Sequence, residues 1–189
     1  MKFATEDDFS EIYELFKKNR ELLPHIRMGH IARKIEERRC IFTDGVVIIF
    51  QIHEKSVQVG KNTKSEKSDC YLNQIVSAVR DGSASRVLNQ FFDFIGLLPY
   101  TSGVIHLNVK KDNYRAKKFY ERNGMELIDK TNWTDGDVEV DVYQKSRSQN
   151  VSLPRIKIKI CSILSIYFSF PTNESEKTVQ CSSPTQRVS

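Results

Sequence analysis

The chain has 189 residues, of which 39% are hydrophobic and 28% charged, with a formal net charge of +5. That is room for one domain of ordinary size with an appendage, and enough apolar side chain for a core; a multidomain machine, a collagen-like or wholly disordered chain and a membrane-embedded protein are excluded. As a global property the basic balance would point to a polyanionic partner, but the charge is unevenly placed. Residues 1–145 hold 23 Lys and Arg against 22 Asp and Glu, and residues 146–189 hold 6 against 2. All eight glycines precede residue 146, whereas three of the five prolines and ten serines lie from there on. Residues 1–145 therefore read as a nearly neutral folded domain and 146–189 as a basic, serine-rich extension.

The domain opens with Lys2 to Ala4, a candidate short strand, and a capping signature, Thr5 followed by Asp8. Phe9, Ile12, Tyr13 and Phe16 then recur at three and four residues, the stripe of an amphipathic helix. A shorter helix is expected over Gly29 to Arg38. Cys40 to Thr43 and Val46 to Phe50 flank Asp44-Gly45, a hairpin signal, because both turn positions need positive φ. Residues 60–69 read as a polar loop and Tyr71 to Ala78 as a strand. Val79 to Ser85 then form a turn that leads into a helix carrying Val87, Leu88, Phe91, Phe92 and Ile95. Val104 to Val109 is a strand, Asn113 to Asn123 a helix, and Glu126 to Trp133 and Val138 to Tyr143 are closing strands. The sum is an α/β (α+β) fold with a mixed, mostly antiparallel central sheet and about four helices.

Chemistry concentrates in residues 71–123. Small residues at Gly82, Ser83, Ala84 and Ser85 let backbone amides approach a ligand at the positive end of a helix, with Arg80 and Arg86 nearby, which suits phosphate oxygens. The same turn is equally a serine-rich helix cap beside exposed arginines. Downstream, Asn113, Ala116, Phe119, Tyr120, Glu121, Asn123 and Gly124 fall on a strand-to-helix unit that closely resembles the end of the GNAT superfamily of acyl-CoA N-acyltransferases, with Met125 where phenylalanine is commoner. Gly82 and Ala84 resemble that superfamily's pyrophosphate loop, Gln/Arg-x-x-Gly-x-Gly/Ala, although Val79 stands at its first position and Arg80 follows. The resemblance covers roughly three quarters of the chain.

What the resemblance implies is an acetyl-CoA-dependent N-acetyltransferase that transfers an acetyl group to a primary amine by direct attack. Val76, Arg80, Gly82, Ser83, Ala84, Ser85 and Asn113 would hold the cofactor, and Tyr120 would protonate the departing sulfur. As bare residues, Phe119 and Tyr120 are also an aromatic pair packing a helix on a sheet, and Asn113 is a good N-cap. Lys110, Lys111, Arg115, Lys117 and Lys118 surround the same turn, facing adenosine phosphates or simply water. An amine with an unperturbed pKa of about 10.4 must lose a proton before it attacks, yet no general base announces itself: the strand from Tyr71 offers only Asn73 and Gln74. His25 and His30 resemble acceptor-lining positions. The alternative is a non-catalytic CoA- or protein-binding module on the same fold.

The expected partners are a small-molecule or peptide amine acceptor and a second copy in a homodimer; no nucleic-acid motif is present and no metal site is indicated. Cys40, Cys70, Cys161 and Cys181 lack metal-ligand or disulfide spacing, so free thiols are expected, and nothing beside Cys70 would activate it as a nucleophile. The start of the chain shows no apolar leader, which makes a cytoplasmic location the expectation. In the extension, Ile156 to Ile160 alternates with period two, the pattern of one more edge strand, followed by a serine- and threonine-rich end expected to be disordered. The apolar stretch free of charge, Ile160 to Phe170, is only 11 residues long, against about 20 for a membrane-spanning helix.

Overall fold

The computed structural model describes residues 1–21, 23, 27–133 and 138–146. The readings made for His25 and for the extension from residue 147 lie outside the described residues. In chain order the elements are α1 (Phe9–Lys18), α2 (Met28–Glu36), β1 (Cys40–Thr43), β2 (Val46–Ile52), β3 (Val57–Gln58), β4 (Lys64–Ser65), β5 (Cys70–Ser77), α3 (Ser83–Leu97), β6 (Ile105–Lys110), α4 (Tyr114–Arg122), β7 (Glu126–Asn132) and β8 (Glu139–Lys145). Six strands form one sheet in the order β1-β2-β5-β6-β8-β7, antiparallel except for β5 and β6. This is the mixed, mostly antiparallel α/β architecture that the sequence pattern implies.

The β1–β2 hairpin turns at Asp44 and Gly45, both at positive φ (51° and 66°), as the right-handed twist of its strands requires. The unbroken apolar run that follows is explained by burial on both faces. Ile48 and Phe50 enter the cluster under α3, with Val87, Leu88 and Phe91, while Val47 and Ile49 enter the cluster under α1 and α2, with Ile12, Phe16, Ile31 and Ile35. Helix α1 is preceded by a 3-10 turn at Glu6–Asp8, in which Asp8 Oδ2 accepts from the Thr5 amide at 2.8 Å. The candidate first strand is reduced to a single bridge, Phe3 to Ile41.

One expectation is overturned. Residues 60–69 are not simply a polar loop, because β4 lies within them and pairs with β3. Two-residue strands carry no readable alternation. What holds this small hairpin comes from elsewhere in the chain: Asp129 Oδ2 accepts from the Asn62 amide (2.7 Å) and the Thr63 hydroxyl (2.8 Å), the Lys61 amide donates to the Lys130 carbonyl (2.9 Å), and Asn108 Nδ2 donates to the Val59 carbonyl (3.3 Å). The hairpin is thereby tied to β6 and β7.

Candidate active site

Strands β5 and β6 run parallel but pair only at Cys70↔Ile105 and Tyr71↔His106. Beyond that point they part, and the β6-facing edge of β5 from Leu72 to Ser77 has no strand partner among the described residues. A bulge sits at the fork: Phe50 pairs with Leu72 and Ile49 with Gln74, which leaves Asn73 as the extra residue on β5. Such bulges re-aim side chains and end pairing.

At the closed end of the fork lies a buried polar network. Asp69, 5% exposed, accepts from the Ser102 hydroxyl at 2.6 Å, from the Glu66 amide at 2.7 Å and from His106 Nε2 at 3.1 Å. A carboxylate only accepts, so in the neutral ring Nε2 carries the proton and Nδ1 the lone pair. His106 is 2% exposed, and its Nδ1 is buried with no partner among the described residues. His53 stacks on Tyr71, centroids 5.8 Å apart, and bonds to Ser65 and Gln51. Burial, then the nearby His106, pulls the His53 pKa below its usual value, and burial pushes the Tyr71 phenol up to about 12.

At the open end the polar groups lack partners. Asn73 Oδ1, Gln74 Oε1 and Asn108 Oδ1 are buried and unbonded among the described residues. Val76, two residues beyond Gln74, is buried and its side chain joins the α1–α2 cluster. Only its backbone is therefore offered to the fork.

The turn after β5 brings the expected loop together. Gly82, at φ 88°, precedes α3, a conformation that favours glycine. The Ser85 and Arg86 amides bond back to the Gly82 carbonyl, whereas the Gly82 and Ala84 amides have no partner among the described residues. The Ser83 amide is taken: Asp81 Oδ1 accepts from it at 2.9 Å. That contact, with Ser83 as a whole, holds the Asp81 carboxyl below its ordinary range. Arg80 is exposed. Arg86 turns away to Asp44, at 3.0 Å.

Helix α4 is tied to α3. Asn113 caps it, Oδ1 accepting from the Ala116 amide at 3.1 Å, so the N-cap role is real and Nδ2 remains for other use. Asn123 Nδ2 donates to Ser85 Oγ (3.2 Å) and its Oδ1 accepts from Asn89 Nδ2 (3.0 Å). Tyr120, 8% exposed, lies in the cluster that also holds Leu72, Leu107 and Val109. Burial, reinforced by the Tyr71 phenol, pushes its pKa up, so the hydroxyl keeps its proton at neutral pH. The basic run is less available than its composition suggests: Lys111 pairs with Glu139, Lys117 with Asp141 at 2.5 Å, and Lys110 covers the Trp133 ring at 5.7 Å. Cys70 is fully buried, and that burial pushes its thiol well above the ordinary range, the opposite of an activated nucleophile.

His106, Asp69, Ser102 and Asp81 escape the sequence reading. The available signal for His106 was alternation, since Ile105-His-Leu-Asn-Val puts His106 and Asn108 on one face of a strand. Nothing local connects Asp69 to Ser102 or His106.

Solved structures match this fold at low identity. An acetyltransferase of the GNAT family from Bacillus cereus is 17% identical, covering 77% of this chain and 95% of its own with a TM-score of 0.55. The ribosomal-protein-S18-alanine N-acetyltransferase of Escherichia coli is 16% identical, at 79% and 96% coverage and TM-score 0.52. NAA60 of Arabidopsis thaliana, solved in complex with acetyl-CoA, is 11% identical, at 76% and 96% coverage and TM-score 0.55. No protein-family model and no curated protein matches the sequence. The chain has the GNAT acyl-CoA N-acyltransferase fold. Among the described residues no helix is long and apolar enough to cross a membrane.

Proposed function

We propose that the protein is an acetyl-CoA-dependent N-acetyltransferase acting on a primary amine by direct attack. The observation that carries this reading is the fork itself: two parallel strands part immediately after Tyr71 and His106, beside a helix whose first amides are partly free. The unpaired edge of β5 around Val76 suits an extended amide-bearing arm, and the Gly82 and Ala84 amides, with Arg80 and Asn113 Nδ2, suit a pyrophosphate. Bound there, acetyl-CoA supplies an acyl group activated as a thioester.

The residues of the chain then divide the work. Asn73, Gln74 and Asn108 offer oxygens that need N–H donors, which an incoming amine provides. His106 Nδ1 takes the proton the amine must lose, while Asp69 fixes the ring through Nε2 and stabilises the charge it gains. The amine nitrogen forms its bond to the acyl carbon as the carbon–sulfur bond breaks, and Tyr120 gives the departing sulfur its proton. His106 then returns its proton to solvent and Tyr120 is reprotonated from it.

Purified protein should release free thiol from acetyl-CoA only when an amine is present. Tyr120→Phe should slow turnover about 10- to 100-fold while leaving the acetyl-CoA-induced rise in melting temperature intact. An unchanged rate removes Tyr120 from the mechanism. A thermal shift without turnover on any of a panel of amines favours a CoA-binding module instead.

A further inference from the structure

Helix α2 carries a group of basic side chains that the acetyl-transfer reading leaves unused. An open surface pocket of about 450 Å³ is lined by Arg27, Gly29, His30 and Arg33. The Arg27 guanidinium has no ion-pair partner among the described residues. Arg33 shares one carboxylate, Glu37, with Lys34: its Nε lies 3.6 Å from Glu37 Oε1, while Lys34 Nζ is 2.6 Å from Oε2. Positive charge is therefore in excess around the cavity. His30 Nε2 is buried there without a partner among the described residues. Burial, then Lys34 and Arg33, lowers the pKa of His30, and the Glu37 carboxylate opposes the shift only in part.

The cavity is linked to the acceptor side of the fork. Ile31, the residue after His30, is fully buried in the apolar cluster that holds Ile49 and Val76. Ile49 pairs with Gln74, and Gln74 shares the face of Val76. The helix that bears the basic cavity thus covers the same face of β5 on which Gln74 presents its unbonded oxygen. On the proposed function, an acceptor that brings its amine to Gln74 approaches on the sheet face that this helix covers.

We propose that this cavity is an anion subsite for the acceptor: the amine acetylated by this protein carries a carboxylate or phosphate, gripped by Arg27 and Arg33 and hydrogen-bonded to the His30 imidazole. This assignment rests on the acetyltransferase reading and narrows its substrate class. It selects against polyamines and aminoglycosides, whose further positive charges would meet like charge at the rim. Guanidinium groups recognise both anions by paired N–H donors, so the two sources are separated by experiment.

Two matched pairs of acceptors test it: β-alanine against propylamine for the carboxylate, and O-phosphoethanolamine against ethanolamine for the phosphate. The wild-type protein should favour the anionic member of at least one pair by about tenfold or more in kcat/KM, and the preference should fall to within about twofold in the R27Q/R33Q variant, both substitutions lying on exposed side chains. Equal turnover within both pairs, or a preference that survives in the variant, overturns the assignment. A second readout separates this failure from failure of the acetyltransferase reading. If no amine is acetylated, the His30 ring resonances are titrated with β-alanine and O-phosphoethanolamine. A shift in the wild type that R27Q/R33Q abolishes supports the anion subsite without any catalysis, and no shift with either compound overturns it.

Discussion

The two ends of the β5–β6 pair are built on opposite principles. At the closed end every oxygen of Asp69 is occupied by Ser102, Glu66 and His106, and the strands are paired. At the open end, one residue further on, the strands separate and three amide oxygens, of Asn73, Gln74 and Asn108, are buried without partners. Buried polar groups are normally satisfied, and leaving one unsatisfied costs on the order of 1–3 kcal/mol. On the proposed function, the closed end spends its bonding on rigidity and the open end holds capacity back for a ligand. His106 stands on the boundary, with one ring nitrogen in each regime.

The largest expected effect comes from that boundary residue. His106→Gln keeps a donor for Asp69 but removes a base, so acetyl transfer should fall about 10²- to 10⁴-fold. The acetyl-CoA thermal shift should persist. Steady-state kcat measured across pH settles it: a variant with wild-type rate and an unchanged profile would place the base elsewhere.

Stability should discriminate between the two ends in the reverse sense. Asp69→Asn replaces an acceptor of three donors by an amide that must point its own N–H groups at one of them, and should cost about 2–3 kcal/mol in urea denaturation. Asn73→Ala, by contrast, removes an oxygen that bonds to nothing in the described structure and should cost less than about 1 kcal/mol. Equal losses would abolish the distinction between a satisfied end and a waiting one.

That distinction also marks the limit of what the residue pattern reveals. The Asp44-Gly45 hairpin, helix α3 with its stripe from Val87 to Ile95, and the Asn113 cap of α4 are legible because their determinants lie within a turn or two of one another. The Gly82–Ser85 turn is legible for the same reason. The fork is not, because strand separation depends on a bulge at Asn73 and on pairing partners far away in the chain. Asp69, Ser102 and His106 are separated by up to 37 residues and converge only through the parallel crossover, so no local signal marks them as one unit. The β3–β4 hairpin escapes because its stabilising carboxylate, Asp129, lies 66 residues further along the chain from Thr63.

A smaller effect is expected from His53, which braces Tyr71 at the closed end. Its folded-state pKa is depressed, whereas an unfolded histidine titrates near pH 6.5. Below about 6.5 the unfolded chain binds the extra proton, so the stability this ring contributes is present above that pH and is lost as pH falls through the folded value. The urea midpoint should therefore drop less between pH 7 and pH 5 in His53→Gln than in the wild type. A drop of the same size in both would show that the ring is not held neutral.

The smallest expected effect lies at the open end, in the turn before α3. Asp81 places a carboxylate on the Ser83 amide at 2.9 Å, the one member of the Gly82–Ala84 amide set that is already bonded. Its depressed pKa keeps it charged throughout the neutral range, so an arriving phosphate meets a like charge beside the two free amides. Asp81→Asn retains an acceptor for Ser83 while removing that charge. At the scale of charge effects at a helix terminus, about 0.3–1 kcal/mol, acetyl-CoA should bind about two- to fivefold more tightly to the variant by calorimetry. The gain should shrink as salt is raised, because an exposed charge is screened over about 10 Å at 0.1 M ionic strength. Binding that is unchanged, or weaker, in Asp81→Asn would mean that the carboxylate organises the amides for the phosphate instead of competing with it, and the open end would then be less empty than its bonding suggests.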